Sequence, residues 1–303
     1  MQVNPYYVTN LVGSLDTVQG KIQSLTSELS SGERVTKLSD DPLAVGENVL
    51  LLDKINQDDA FTQSSSIVQG QLQVSDSALG SVVTQLTSAI QLATSANNGT
   101  MNSSDVKSIS SELEGIRDEV LSLANTSYLG QYVFAGGQSS TQPFTLDSTT
   151  SPATVTYNGD TDINDLETPN GQSIQLNVAG SDIFTASGSD NVFTALNNLI
   201  ADYSSGTVDT STAVADTASL NTALNWVSQQ RVTIDNSLTQ LTSATDAVTN
   251  DQLQMTTVQT NLMQADVADV STQMSLAETQ QSALESVIAA LESSSTNLFN
   301  KLS

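Results

Sequence analysis

Apolar residues at the end of the chain recur in alternating steps of three and four. Val267, Val270, Met274, Ala277, Leu284, Ile288, Leu291, Leu298 and Leu302 share one register, with Gln281 and Ser295 in its two vacant slots. The start of the chain does the same through Val8, Leu11, Leu15, Val18, Ile22, Leu25 and Leu29. A step averaging about 3.5 residues keeps a narrow stripe on one face of a helix, so each chain end carries a seam that needs a helical partner. Two such seams either meet each other or meet copies of the same protein.

Between the ends the pattern predicts more helices. The first stops near Ser30-Ser31-Gly32, and Asp41-Pro42 opens the next, because proline at the first helical position gives up no needed N–H and the carboxylate accepts from orphan amides. Pro42 to about Ser95 offers Val49, Leu52, Ile55, Leu72, Leu79, Val82, Leu86 and Ile90 as candidate core, with Gly70 and Gly80 as points of kinking. Val106, Ile109, Leu113, Ile116, Val120 and Leu123 mark a third helix. A return limb carries Leu220, Leu224, Val227, Ile234, Leu238, Leu241 and Val248, interrupted by Arg231. The 97 residues from Thr207 to Ser303 contain neither glycine nor proline, as long helices require.

Gln131 to about Ser189 reads differently. Tyr132–Phe134, Ala153–Tyr157 and Ser173–Val178 look like short strands separated by Gly136-Gly137, Asn158-Gly159 and Asn170-Gly171 turns. Eight of the 13 aromatic residues lie between Tyr128 and Tyr203, which gives this segment a core of its own. The expected fold is mainly α: an elongated antiparallel helical rod or coiled coil formed by both chain halves, with an inserted small β domain. The expected division is an N-terminal assembly helix and linker (1–41), half of the helical rod (42–130), the β domain (131–189), the other half (190–262) and a C-terminal assembly helix (263–303).

Composition narrows the function. The 303 residues include no Cys and no His, which removes thiolate chemistry, disulfides and the commonest general base and metal ligand. Eight basic residues stand against 33 acidic ones, a formal charge of -25, and no basic residue lies between Arg117 and Arg231. That balance disfavours nucleic acid and anionic membranes as partners. Like charge favours solubility before assembly and association once salt screens it. No stretch is apolar enough for a membrane span, and Met1–Asn10 lacks the charged start and apolar block of a cleaved signal.

Little else suggests chemistry. Asn158–Glu167 begins like a calcium loop but has Asp165 where such a loop needs glycine and Gly171 where it needs a bidentate glutamate. Asp182 with Asp190 is a carboxylate pair without a cation beside it. Asn98, Asn102 and Asn125 match the glycosylation acceptor pattern, a short signal in a Ser/Thr-rich chain. Arg231 reads as a snorkelling side chain or the partner of an acid, and Trp226 as packing. No catalytic, cofactor or metal site is expected, and the chain is read as no enzyme.

Several stretches, in order, resemble the flagellin superfamily. Leu29-Ser30-Ser31-Gly32-Glu33-Arg34-Val35 is similar to the turn after its first helix. Ser39-Asp40-Asp41-Pro42, Tyr132-Val133-Phe134-Ala135-Gly136 and Thr141-Gln142-Pro143-Phe144 resemble the type 3 hook-associated proteins of the hook-filament junction. So does Leu298-Phe299-Asn300-Lys301-Leu302, except that Lys301 stands where an aromatic is common. The resemblance implies a structural flagellar component exported without a cleaved signal and located extracellularly at the junction. It would assemble with copies of itself, the type 1 hook-associated protein and flagellin or the filament end. An export chaperone is also implied, binding near Leu284, Ile288 and Leu291. The assembly interface expected is Val8, Leu11, Leu15, Val18, Ile22, Leu25 and Leu29 with Val270, Met274, Ala277, Leu284, Ile288, Leu291, Leu298 and Leu302. A flagellin filament subunit and a secreted adhesin or carbohydrate-binding protein are the alternatives.

Overall fold

A computed structural model describes residues 5–185 and 191–302, and the side chains of residues 7, 9–185 and 191–293. The chain is mainly α with small antiparallel sheets. Its helices are α1 (Pro5–Ser31), α2 (Pro42–Asn97), α3 (Ser103–Ala124), α4 (Val192–Ser204), α5 (Thr210–Met263) and α6 (Val267–Leu302). Two compact units divide it, Met1–Asn56 with Asp251–Ser303, and Gln57–Asn250. The divisions fall inside α2 and α5, whereas the sequence pattern placed them at the helix breaks. Helical continuity and the clustering of packing are separate properties, and only the first is written in local signals.

The helix ends follow local chemistry. Asp41 Oδ1 accepts from Ala44 N at 3.1 Å to cap α2, and Asn102 Oδ1 accepts from the amides of Ser104 and Asp105 to cap α3. Gly32 ends α1 with φ of 73°, a left-handed conformation that costs glycine little. Neither Gly70 nor Gly80 interrupts α2. Gly70 lies under the Tyr128 ring, where a Cβ would collide with the phenol, and Gly80 lies against the Arg231 guanidinium. At Gly70 the missing side chain makes room for Tyr128, whereas a Cβ on Gly80 would meet Arg231 only at ordinary contact distance.

The 57–250 unit has one continuous core contributed by α2, α3, α4, α5 and the β segment. On α5 the buried positions are Ala213, Leu220, Ala223, Val227, Ile234, Ser237, Leu241 and Val248, a strict run of sevens, threes and fours. Arg231 lies one position past the vacant slot of this register, Gln230, and makes a two-point ion pair with Asp76 of α2. Tyr203 of α4 donates to Asn97 Oδ1 at 3.0 Å, and Ser110 of α3 donates to Ile200 O at 2.9 Å. Buried polar ends are thereby satisfied.

Three two-stranded antiparallel sheets form the insertion: β1 (Ser127–Tyr128) with β2 (Gln131–Tyr132), β3 (Phe144–Asp147) with β4 (Thr154–Tyr157), and β5 (Asp165–Glu167) with β6 (Ser173–Gln175). Val133 and Phe134, read from sequence as strand, are buried in a turn instead. Their apolar run fills a core, since Phe134, Phe144, Phe184 and Phe193 form a chain of ring contacts with centroids 5.2 to 5.8 Å apart. Asn125 fixes β3 by donating to Phe144 O and accepting from Phe144 N, both at 2.9 Å. Trp226 is half-buried and donates its indole N–H to Asp182 O.

Phe144 touches Tyr157, Phe184 and Phe193 and is fully buried, so Phe144→Ala should cost about 3 to 5 kcal/mol in the 57–250 unit. Denaturant unfolding followed by Trp226 fluorescence measures this. A loss below roughly 1 kcal/mol would show that the aromatic cluster does not hold the insertion in place.

Candidate assembly surface

The predicted seams meet within the chain. Helix α1 packs against α6, and Leu25, Val270 and Ala277 are buried together with Ala265, flanked by partly buried Val18, Ile22 and Met274. Leu11, Leu15, Leu284, Ile288 and Leu291 are half-buried, whereas Leu29 is exposed. The side chains of Val8, Leu298 and Leu302 lie outside the described residues. The seams, expected to serve assembly with further copies, pack against each other in the isolated chain.

A short backbone ladder sets the register of this pair. Ala265 N donates to Gly32 O at 2.9 Å, Arg34 N donates to Met263 O at 2.7 Å, and Glu33 bridges Gln264 antiparallel. Arg34 adds a guanidinium bond to Leu262 O at 3.0 Å and another to Asp41 Oδ2 at 3.3 Å. Asp41 is drawn below the ordinary carboxylate range, first by the Ala44 amide and then by Arg34. Gln259 Nε2 donates to Asn48 Oδ1 at 2.9 Å, tying α5 to α2 close by.

Pairing leaves a different set of apolar side chains uncovered. Val49 and Leu52, expected in the core, are exposed; so are Leu43 at 72% and Leu50 at 71%, two turns apart on α2. Val12 on α1, Leu253 and Val258 on α5, and Val267, Leu276 and Val287 on α6 are also open to solvent. Among the described residues, 13 of the 18 large exposed apolar side chains belong to the unit built from the two chain ends. That unit holds five basic and 13 acidic residues, net -8, while Gln57–Asn250 holds three and 20, net -17. The smaller total follows from the smaller size of that unit, so it is the concentration of apolar exposure, not its charge, that marks it as an interaction surface. Sequence periodicity did not reveal it, because a stripe awaiting an external partner reads like a core stripe.

The other candidate groups are engaged structurally. Asp160 Oδ1 accepts from Gly137 N and from Asp162 N, and its backbone N–H donates to Ala135 O at 3.1 Å. The carboxylate of the supposed calcium loop therefore closes the Gly136-Gly137 turn, where a Cβ on Gly136 would strike Asp160. Among the described residues no cluster of three or more metal-type ligands occurs, and no helix is long and apolar enough to cross a membrane. Asp190 lies outside the described residues. Asp202 is pushed up from 3.8 to about 6, by burial first and then by Asp216 beside it. Its described hydrogen-bond donor is Thr212, at 3.5 Å.

Residues 6–139 match the family described as the bacterial flagellin N-terminal helical region. Over that stretch the chain is similar to the flagellin N-terminal helical region, and it resembles flagellar hook-associated protein 3. A relative with that name from Salmonella typhimurium is 32% identical over 139 residues, covering 46% of this chain and 44% of its own length. This chain thus spans less than half the length of the curated relatives it matches. Among solved structures, one assigned as a flagellar hook-associated protein from Vibrio parahaemolyticus has a TM-score of 0.67 at 20% identity, covering 74% of this chain and all of that one. The flagellar junction protein FlgL from Legionella pneumophila has a TM-score of 0.58 at 15% identity, covering 72% of this chain and 100% of that one. These likenesses show the fold.

Leu25→Asp places a charge in the buried contact of α1 with α6 and should unpair the two helices. Limited proteolysis should then remove both ends while the 57–250 unit keeps its melting transition; unchanged resistance would mean that this contact does not hold the pair. A second expectation concerns pH. Because the folded carboxyl of Asp202 holds its proton up to about pH 6 while the unfolded one releases it near 3.8, its stabilising contribution is present below the lower value and lost as pH rises through the higher. Asp202→Asn should therefore gain about 1 kcal/mol at neutral pH after discounting for its partly open surroundings, and nothing below pH 4. Equal stability differences at both pH values would contradict this.

Proposed function

We propose that this protein is a structural component of the bacterial flagellum, a hook-filament junction adaptor incorporated through the unit that its two ends build. The observation carrying this reading is the concentration of uncovered apolar side chains on that unit, with the relatives named hook-associated protein 3 in support. The seam residues hold α1 and α6 as one element, and Leu43, Leu50, Leu253 and Leu276 offer surface that neighbouring subunits cover. Copies of this chain, a type 1 hook-associated protein and the filament end are the proposed neighbours. No reaction is catalysed.

Location follows from the same reading: outside the cell, at the junction, after export without cleavage. An export chaperone is proposed to hold α6 before pairing through Leu284, Ile288 and Leu291. Once α1 has packed, those side chains are half-buried, so chaperone and α1 compete for one face.

Deletion of 267–303 removes α6 and strips α1 of its partner. The expected product is a soluble 57–250 core that fails to incorporate, whereas the full chain appears by immuno-electron microscopy as a single band at the filament base. Label along the whole filament would instead identify a filament subunit. Normal incorporation of the truncated chain would overturn assembly through the ends.

A further inference from the structure

Three Asn-Gly pairs occur in the chain, at Asn98-Gly99, Asn158-Gly159 and Asn170-Gly171. Such pairs are where a protein rearranges without an enzyme. The backbone nitrogen of the glycine, losing its proton, attacks the asparagine side-chain carbonyl; the new C–N bond closes a five-membered succinimide while the amide nitrogen leaves as ammonia. Water then opens either carbonyl to give aspartate or isoaspartate. The step requires a side chain free to turn back on the chain and a glycine N–H without another commitment.

The fold withholds these conditions from two of the pairs. Asn158 is held by its own groups, Nδ2 donating to Thr145 Oγ1 at 3.1 Å and its N–H to Pro143 O at 2.7 Å, and Gly159 is walled in by Tyr157 and Ala135. In the second, the Gly171 N–H donates to Thr168 O at 2.8 Å across the turn joining β5 to β6. Asn98-Gly99 lies just past the end of α2; the Asn98 N–H donates to Ser95 O at 3.4 Å, and the pair differs in its side chain and in the Gly99 N–H. Asn98 is exposed, nothing lies within 4 Å of where a Cβ on Gly99 would be, and among the described residues no acceptor takes the Gly99 N–H.

We propose that Asn98-Gly99 is a self-modification site, converting with age to aspartate or isoaspartate while the other two pairs persist. The product adds a negative charge at the C-terminal end of α2, where the helix dipole already disfavours anions. It does so one residue from Asn97, which donates to Thr217 Oγ1 at 3.2 Å and accepts from Tyr203. Ageing therefore bears on the contact of α2 with α4 and α5.

The full chain, incubated folded in mildly alkaline buffer at physiological temperature, is digested and the three peptides compared by mass. Expected first is a gain of roughly 1 Da, with isoaspartyl methyltransferase labelling, confined to the peptide containing residues 98 and 99. In guanidinium the three pairs should react at comparable rates, since the protection of two of them is structural. Asn98→Gln, at an exposed position, should abolish the early product. The proposal fails if residue 158 or 170 is modified before 98 in the folded chain, if folded and unfolded chains show the same ranking, or if Asn98→Gln leaves the early product in place.

Discussion

The pairing of α1 with α6 depends on a place where both helical limbs stop. Gly32 turns the chain out of α1 in a left-handed conformation, and its carbonyl receives the Ala265 amide at the break between α5 and α6. With that register fixed, the seam advances by sevens on both sides, through Leu25, Val18 and Leu11 on one helix and Val270, Ala277 and Leu284 on the other. A slip by one residue would carry each apolar position about 100° around its helix and expose the stripe. The backbone ladder is small, but it selects which of several similar pairings is available.

Covering one stripe this way has a consequence for the rest of that unit. Two helices can bury one face each against the other, and every apolar residue off that face stays in water. Val12 on α1 and Val267, Leu276 and Val287 on α6 are such residues, joined in the same unit by Leu43 and Leu50 on α2 and Leu253 on α5. Screening weakens the repulsion between these acidic chains over a distance of about 8 Å at physiological salt, while apolar burial is unaffected at contact range. Charge and exposed apolar area therefore act at different separations: the first governs approach and the second governs what happens on contact.

Much of the helical order was legible from the sequence because it is encoded locally. Pro42 after a capping Asp, Gly32 after the last seam residue and the heptads of α5 each specify structure within a turn or two. What escaped reading was long-range. Val49 and Leu52 carry core periodicity, yet no described segment covers them. Gly70 looks like a breaker until Tyr128, distant in sequence, occupies the space it leaves. The Val133-Phe134 run resembles a strand because a hydrophobic run reads alike whether a sheet or an aromatic cluster buries it. The seam residues were visible as a set, but which partner they choose is decided by what else can reach them.

Arg231 shows how polar residues add what an apolar stripe cannot. In the long α2 and α5 helices many one-turn slips preserve apolar contact, since Leu, Val and Ala recur at every heptad. Only one register places the guanidinium opposite Gly80 with Asp76 one turn away to receive it. Any other register separates the pair and turns the half-exposed guanidinium to solvent, a small cost that still favours this register. The ion pair is partly exposed and contributes little by itself to stability. Its effect is to favour one register among several, as the Gly32–Ala265 ladder does for the chain ends. In both units a repeating apolar pattern supplies the attraction, and a single polar feature that does not repeat helps select where it acts.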